Sequence, residues 1–134
     1  MEPDQLIEKL TQAWAGDLAT LLSLYHPECV FLDKAFDIRH DGHEGIRQVF
    51  TLSFLMMPDF RVTYGKYAIT ELAGAVEWFF TGSFRGEFSG KMYDGVPVRI
   101  EGVSLMVFRD GLIAANTDYW DVKSLSRQLG QGME

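Results

Sequence analysis

Asp118 falls in the stretch I-A-A-N-T-D-Y-W-D at residues 113–121, a carboxylate among residues that a strand would bury. Alternation with a period of two puts Ala114, Asn116, Asp118 and Trp120 on one face, with Ala115, Thr117, Tyr119 and Asp121 on the other. Small residues, then polar ones flanked by aromatics, make poor solid core and a plausible pocket wall. A buried Asp118 needs a partner or a raised pKa, because burial disfavours the charged form. Such a group could move a proton or orient a water, with Asn116 donating to an oxyanion. The competing reading is structural: a hydrogen bond to the helical hairpin, from the indole of Trp14 for example.

Asp33 is the second carboxylate of interest. It follows four residues of apolar strand and precedes a loop, so it can face a pocket mouth as a base for protons next to a carbonyl. Equally, it can be a loop aspartate that accepts from the backbone N–H groups of Ala35 or Phe36. Asp121 immediately precedes the last predicted helix and reads as its N-cap. His40 and His43 flank Asp41 and Gly42, but that spacing is not a helical zinc motif, so a solvated loop and helix cap is the expectation and no metal is assigned. Tyr25, Tyr64, Tyr93 and Tyr119 each carry a phenol able to reach a substrate oxygen, and spacing does not choose among them. Trp14, Trp78, Phe80, Phe84 and Trp120 read as core continuous with pocket wall.

The elements that must position these groups follow from periodicity. Pro3 and Asp4 open a helix with Leu6, Ile7, Leu10, Ala13 and Trp14 inward, stopped by Gly16. Asp17 caps a second helix with Leu18, Leu21, Leu22 and Tyr25 inward, ended by His26-Pro27. Residues 29–33 read as a buried strand and 37–42 as a polar connection. Asp41 and Glu44 resemble a capping box before a third helix with Ile46, Val49, Phe50 and Phe54 inward, which Pro58 stops. Strands are then predicted at 60–70, with Gly65 a bulge, at 75–85, at 96–109 and at 113–121. Gly86, Gly90 and Gly95 make 86–95 an extended loop or lid, Arg109-Asp110-Gly111 a tight turn, and 122–129 a closing helix before Gly130. The last four residues are expected to fray. Helices first and an antiparallel meander after imply an α+β fold, helices packed on one face of a curved sheet that leaves a conical cavity.

Bulk properties narrow the classes. The chain of 134 residues is read as a single domain, 1–134, long enough for a core without disulfides or metals. A net charge of -7 with scattered lysines and arginines argues against nucleic-acid binding. Cys29, the one cysteine, lies beside Val30 and Phe31 and reads as a buried, inert thiol in a reducing compartment. The N-terminus has no signal-peptide pattern and no apolar run is long enough to span a bilayer, so a cytoplasmic protein without membrane contact is expected.

The order of elements, with G-D-L-A-T-L-L-S-L-Y-H-P-E-C-V-F-L-D near the start, then G-H-E-G-I-R-Q-V-F and P-D-F-R-V, resembles the cone-shaped NTF2-like fold. The closing F-R-D-G-L-I and Y-W-D-V-K-S-L-S-R-Q-L-G resemble more narrowly its SnoaL-like branch, known for polyketide cyclases. The resemblance covers nearly the whole chain and implies helices on a strongly curved, mainly antiparallel sheet. That fold hosts isomerases, cyclases, dehydratases, epoxide hydrolases and non-enzymes. Asp33 matches the place of a general-base aspartate in ketosteroid isomerases, and Asp118 a catalytic aspartate of the limonene-epoxide-hydrolase type. The arginine and second aspartate of that hydrolase triad fall on Phe80 and Gly82, which disfavours it. SnoaL-type cyclases often carry G-T-H-x-G in the third strand, where this chain has Gly82-Ser83-Phe84-Arg85-Gly86.

Two functions follow as expectations. One is a cofactor-independent isomerase, cyclase or dehydratase for a small apolar carbonyl compound. Asp33 and Asp118 would share its proton transfers, and Trp14, Trp78, Phe80, Phe84, Asn116 and Trp120 would bind the substrate. The other, favoured by Phe84 in place of histidine, is a non-catalytic binding module for a small apolar ligand. Phe79, Val103 and Leu105 alternate on the outer sheet face and imply a homodimer in either case.

Overall fold

In the computed structural model, residues 1–131 are described. Helix α1 (Pro3–Trp14) buries Leu6, Leu10 and Ala13, and its N-terminus is closed by the Gln5 side chain accepting from the Glu2 N–H at 3.0 Å. Helix α2 (Leu18–Leu24) is capped by Asp17, which accepts from the Thr20 backbone N–H. Tyr25, expected at the end of that helix, instead opens strand β1 (Tyr25–Asp33) with an extended backbone. The pairing of β1 shifts between Tyr25 and Val30, around Pro27, which has no N–H to give a ladder.

The polar segment expected as a connection contains a short strand, β2 (Ile38–Asp41), paired antiparallel with β1. Its polarity is that of an edge strand whose side chains meet water. Asp41 stands at the N-cap position of helix α3 (Gly42–Met56) as expected, but its side chain makes no capping bond and its carboxylate instead pairs with Arg39 at 2.9 Å. Gly45 lets α3 close onto β2, since a Cβ there would press on the His40 backbone.

Four long strands follow: β3 (Arg61–Ile69), β4 (Ala73–Phe88), β5 (Lys91–Arg109) and β6 (Leu112–Trp120). The β3–β4 register slips between Tyr64 and Tyr67, where Gly65 was expected to bulge. The lid expected at 86–95 is absent. β4 and β5 stay paired out to Phe88 opposite Lys91, so that segment is the tip of one long hairpin. Ser89 and Gly90 form its two-residue turn, both with positive φ, while Gly95, at φ 84, is the extra residue in a bulge. Asp110 and Gly111 make the equivalent turn before β6. Asp121 caps helix α4 (Val122–Gln128) as expected, accepting from the Lys123 N–H at 2.8 Å. Of the tail expected to fray, Gln131 is held: its amide donates to the Phe88 carbonyl and to the Tyr93 hydroxyl. Residues 132–134 lie outside the described part.

The sheet order is β2-β1-β6-β5-β4-β3, with β1 parallel to β6 and every other neighbouring pair antiparallel. Ile38 and His40 of β2 and Val62 and Tyr64 of β3, from opposite ends of this sheet, line the same cavity. The sheet therefore curls around it, as the α+β expectation requires. The core lies on both sides of that cavity. One cluster joins Leu10, Leu21, Phe31 and Ile46 to Met106 and Ile113; the other joins Met57, Phe84, Val98, Ile100, Leu125 and Leu129.

Candidate active site

The cavity has a volume of about 380 Å³, enough for a small multi-ring molecule, and its lining includes the exposed Phe36, Ile38 and Leu52. Aromatic rings run around its wall in contact: Trp14 with Phe60 at 5.6 Å, Phe60 with Phe80 at 5.2 Å, Phe80 with Trp120 at 6.4 Å and Trp120 with Phe36 at 4.9 Å. Trp78 stacks on Phe80 at 6.0 Å. Phe84 lines the inner wall and is almost fully buried. Among the described residues that line it there is no lysine or arginine.

Both aspartates face this space. Parallel pairing of β1 with β6 sets Asp33 directly beside Asp118, so their side chains emerge on one face of neighbouring strands. Asp33 accepts on Oδ1 from the N–H groups of Ala35 (3.0 Å) and Phe36 (3.2 Å) and from the Trp120 indole (3.1 Å). The two backbone bonds were anticipated; the indole was not.

Asp118 accepts on its own Oδ1 from the Ser104 hydroxyl at 2.5 Å and from the Asn116 amide at 2.7 Å. It is part-buried, and its accessible portion faces the cavity. Burial pushes its pKa up to about 6; the Ser104 and Asn116 bonds pull the other way and the neighbouring Asp33 charge adds to the rise. The indole expected to bond it, that of Trp14, does not.

Asn116 is buried, and both sides of its amide are used: Nδ2 donates to Asp118, and Oδ1 accepts from the Tyr25 hydroxyl at 3.2 Å. Of the four tyrosines singled out above, Tyr25 and Tyr64 line the cavity, Tyr93 bonds Gln131, and Tyr119 is exposed on the outside. The Tyr64 hydroxyl has no hydrogen-bond partner among the described residues. Burial holds both phenols well above their ordinary pKa, with the Asp118 charge adding to it, so each stays protonated.

Sequence reasoning missed Ser104 and did not single out Tyr64. The signal was present in the inward series Val98, Ile100, Gly102, Ser104 and Met106, where one hydroxyl interrupts an apolar face. His40, expected in a solvated loop, lines the cavity from β2 and bonds Gln48. His43 donates to the Tyr25 carbonyl at 2.8 Å. No group of three or more metal-ligating side chains occurs among the described residues. Cys29 is buried, and burial raises its thiol pKa. No helix is long and apolar enough to cross a membrane among the described residues.

The sequence matches the SnoaL-like polyketide cyclase family over residues 5–129. The chain belongs to that family. Among solved structures, TsrD from Streptomyces laurentii is 25% identical with a TM-score of 0.82, covering 97% of this chain and 98% of its own. IdmH from Streptomyces antibioticus, provisionally named a polyketide cyclase, is 27% identical with a TM-score of 0.80, over 97% of this chain and 99% of its own. A Catenulispora acidiphila protein described as having a ketosteroid isomerase-like fold, solved with trimethylamine, shares the fold at 20% identity and a TM-score of 0.81. That match covers 98% of this chain and 96% of its own. No match was found among curated proteins.

Proposed function

We propose that this SnoaL-like chain is a cofactor-independent isomerase, cyclase or dehydratase acting on a small apolar carbonyl compound. The observation that carries the reading is Asp118, a carboxylate in an aromatic cavity whose pKa of about 6 suits proton transfer near neutral pH. Its Oδ2, free of hydrogen bonds among the described residues, takes a proton from the carbon next to the carbonyl, and the electron pair moves onto the carbonyl oxygen. Tyr64 donates to that oxygen. Asn116, expected in this role, is buried and directs one of its two Nδ2 hydrogens to Asp118. The proton then returns to another carbon, or the enolate carbon attacks a second carbonyl and the new alkoxide takes the proton. Asp33, with Oδ2 likewise free, is the second carboxylate, placed to share a proton or receive a substrate hydroxyl. The aromatic wall excludes water, and an uncharged, mainly apolar substrate fits a lining without cationic side chains.

Turnover of a panel of polyketide- and steroid-like ketones by wild type, Asp118→Asn and Asp33→Asn tests this. Asp118→Asn is expected to lose at least a hundredfold in kcat/KM, and the wild-type rate to rise with pH through about 6 as the base ionises. Full activity in both variants would sink the reading. Phe84, where related cyclases carry a histidine, favours a second reading in which the same cavity only holds a small apolar ligand. Native mass spectrometry separates the two: a retained ligand that stays unchanged on incubation supports binding, and a converted one supports catalysis.

A further inference from the structure

Asp118 is held by two donors, and each of those donors is fixed from behind by a further donor. A serine hydroxyl has one proton to give and lone pairs to accept with. The Trp78 indole Nε1–H, which can only donate, reaches the Ser104 oxygen at 2.8 Å, leaving the serine proton for Asp118. An amide has an accepting and a donating side, and its orientation is set by its neighbours. The Tyr25 hydroxyl donates to Asn116 Oδ1, which turns Nδ2 towards Asp118. Both arms end on Oδ1, leaving Oδ2 of this cavity-lining residue without a hydrogen bond among the described residues.

The arms come from separate strands. Trp78 lies on β4, Ser104 on β5, Asn116 and Asp118 on β6, and Tyr25 on β1. The indole crosses β5 because its register partner is Gly102, where a Cβ would collide with the ring.

We propose that Trp78 and Tyr25 are positioning residues for Asp118, each orienting one of the two side chains that grip Oδ1 so that Oδ2 alone is presented for reaction. The assignment takes its catalytic meaning from the reading of Asp118 as the base, but the two can be tested apart. The titratable groups facing Asp118 are Asp33 and Tyr25 from β1 and Tyr64 from β3, with His40 of β2 on the same cavity wall. Neither phenol ionises near neutrality, so a change in the Asp118 midpoint reports its hydrogen bonds and the charges of Asp33 and His40.

The experiment is a carbon-13 carboxyl NMR titration of aspartate-labelled protein, assigned with Asp118→Asn, in wild type and in Ser104→Ala, Trp78→Phe and Tyr25→Phe. Ser104→Ala is expected to raise the Asp118 midpoint by about one pH unit, and Trp78→Phe and Tyr25→Phe each by about half a unit. Asp33→Asn should lower it, checking that the signal responds to local charge. An unmoved midpoint in both Trp78→Phe and Tyr25→Phe, with or without a lower Tm, overturns the proposal and leaves those residues as packing. Tyr25→Phe removes a single oxygen and keeps the assay readable if Trp78→Phe does not fold. Shifted midpoints with no ketone turned over by wild type would leave this proposal standing and defeat the enzymatic one.

Discussion

A carboxylate whose pKa rises on folding makes the folded state less stable as pH increases, the reverse of the familiar salt-bridged aspartate. Asp118 sits at about 6 against an ordinary 3.8. Between those values the folded chain holds a proton that the unfolded chain has released. Its favourable contribution is complete below 3.8 and is lost as pH rises through about 6. The loss at neutral pH is on the order of 3 kcal/mol. Asp118→Asn is therefore expected to be more stable than wild type at pH 7.5 by about 1–3 kcal/mol, with the difference closing near pH 4. Urea titrations at the two pH values read this directly, and equal or lower stability of the variant at pH 7.5 would contradict it. At this scale the sequence was informative where period-two alternation applied: Asn116, Asp118 and Trp120 do share the cavity face. It was silent on Tyr64, because the tyrosines of the chain differ only in where the sheet points them.

Elements were legible wherever burial writes a pattern. The caps at Asp17 and Asp121, the bulge after Tyr64 and the Asp110-Gly111 turn all follow local rules of backbone chemistry. β2 escaped because an edge strand exposes its side chains and reads as polar connection. The hairpin tip escaped for another reason: three glycines within ten residues look like a loop when one serves a turn and another a bulge. Close packing shows only in three dimensions. At Gly102 a Cβ would collide with the Trp78 ring and crowd the Tyr119 carbonyl, and neither neighbour is close in sequence. Gly102→Ala is expected to cost roughly 1–3 kcal/mol and to shift tryptophan fluorescence, measurable by thermal melts and emission spectra. A change within ±0.5 kcal/mol with an unaltered spectrum would show that the indole has room to move.

At the scale of the molecule, the helices and the cavity take one face of the sheet, and the other carries apolar side chains into solvent. Leu105, Val107 and Tyr119 are 46%, 52% and 46% exposed and neighbour one another across β5 and β6. On the same outer face Arg99 lies over the Phe79 ring at 4.0 Å and pairs with Glu101 at 2.5 Å, giving the patch both apolar and paired-charge parts. An exposed apolar patch of this kind suits a two-fold dimer, and we propose a second copy of the chain as its partner. Solution scattering at micromolar concentration should return twice the 15.2 kDa chain mass, falling to the single value in Val107→Glu; a monomer in the wild type would contradict it.

The grip on Asp118 has a consequence for how the site is lost. Its four supports and the aspartate itself come from β4, β5, β6 and β1, joined by register alone. A slip of one residue in any of these ladders turns its side chain to the opposite face. The setting of this carboxylate is thus a readout of the finished sheet. If Asp118 is the base proposed above, residual activity assayed at one fixed temperature after heating falls in step with the folded fraction, so inactivation and unfolding trace the same curve.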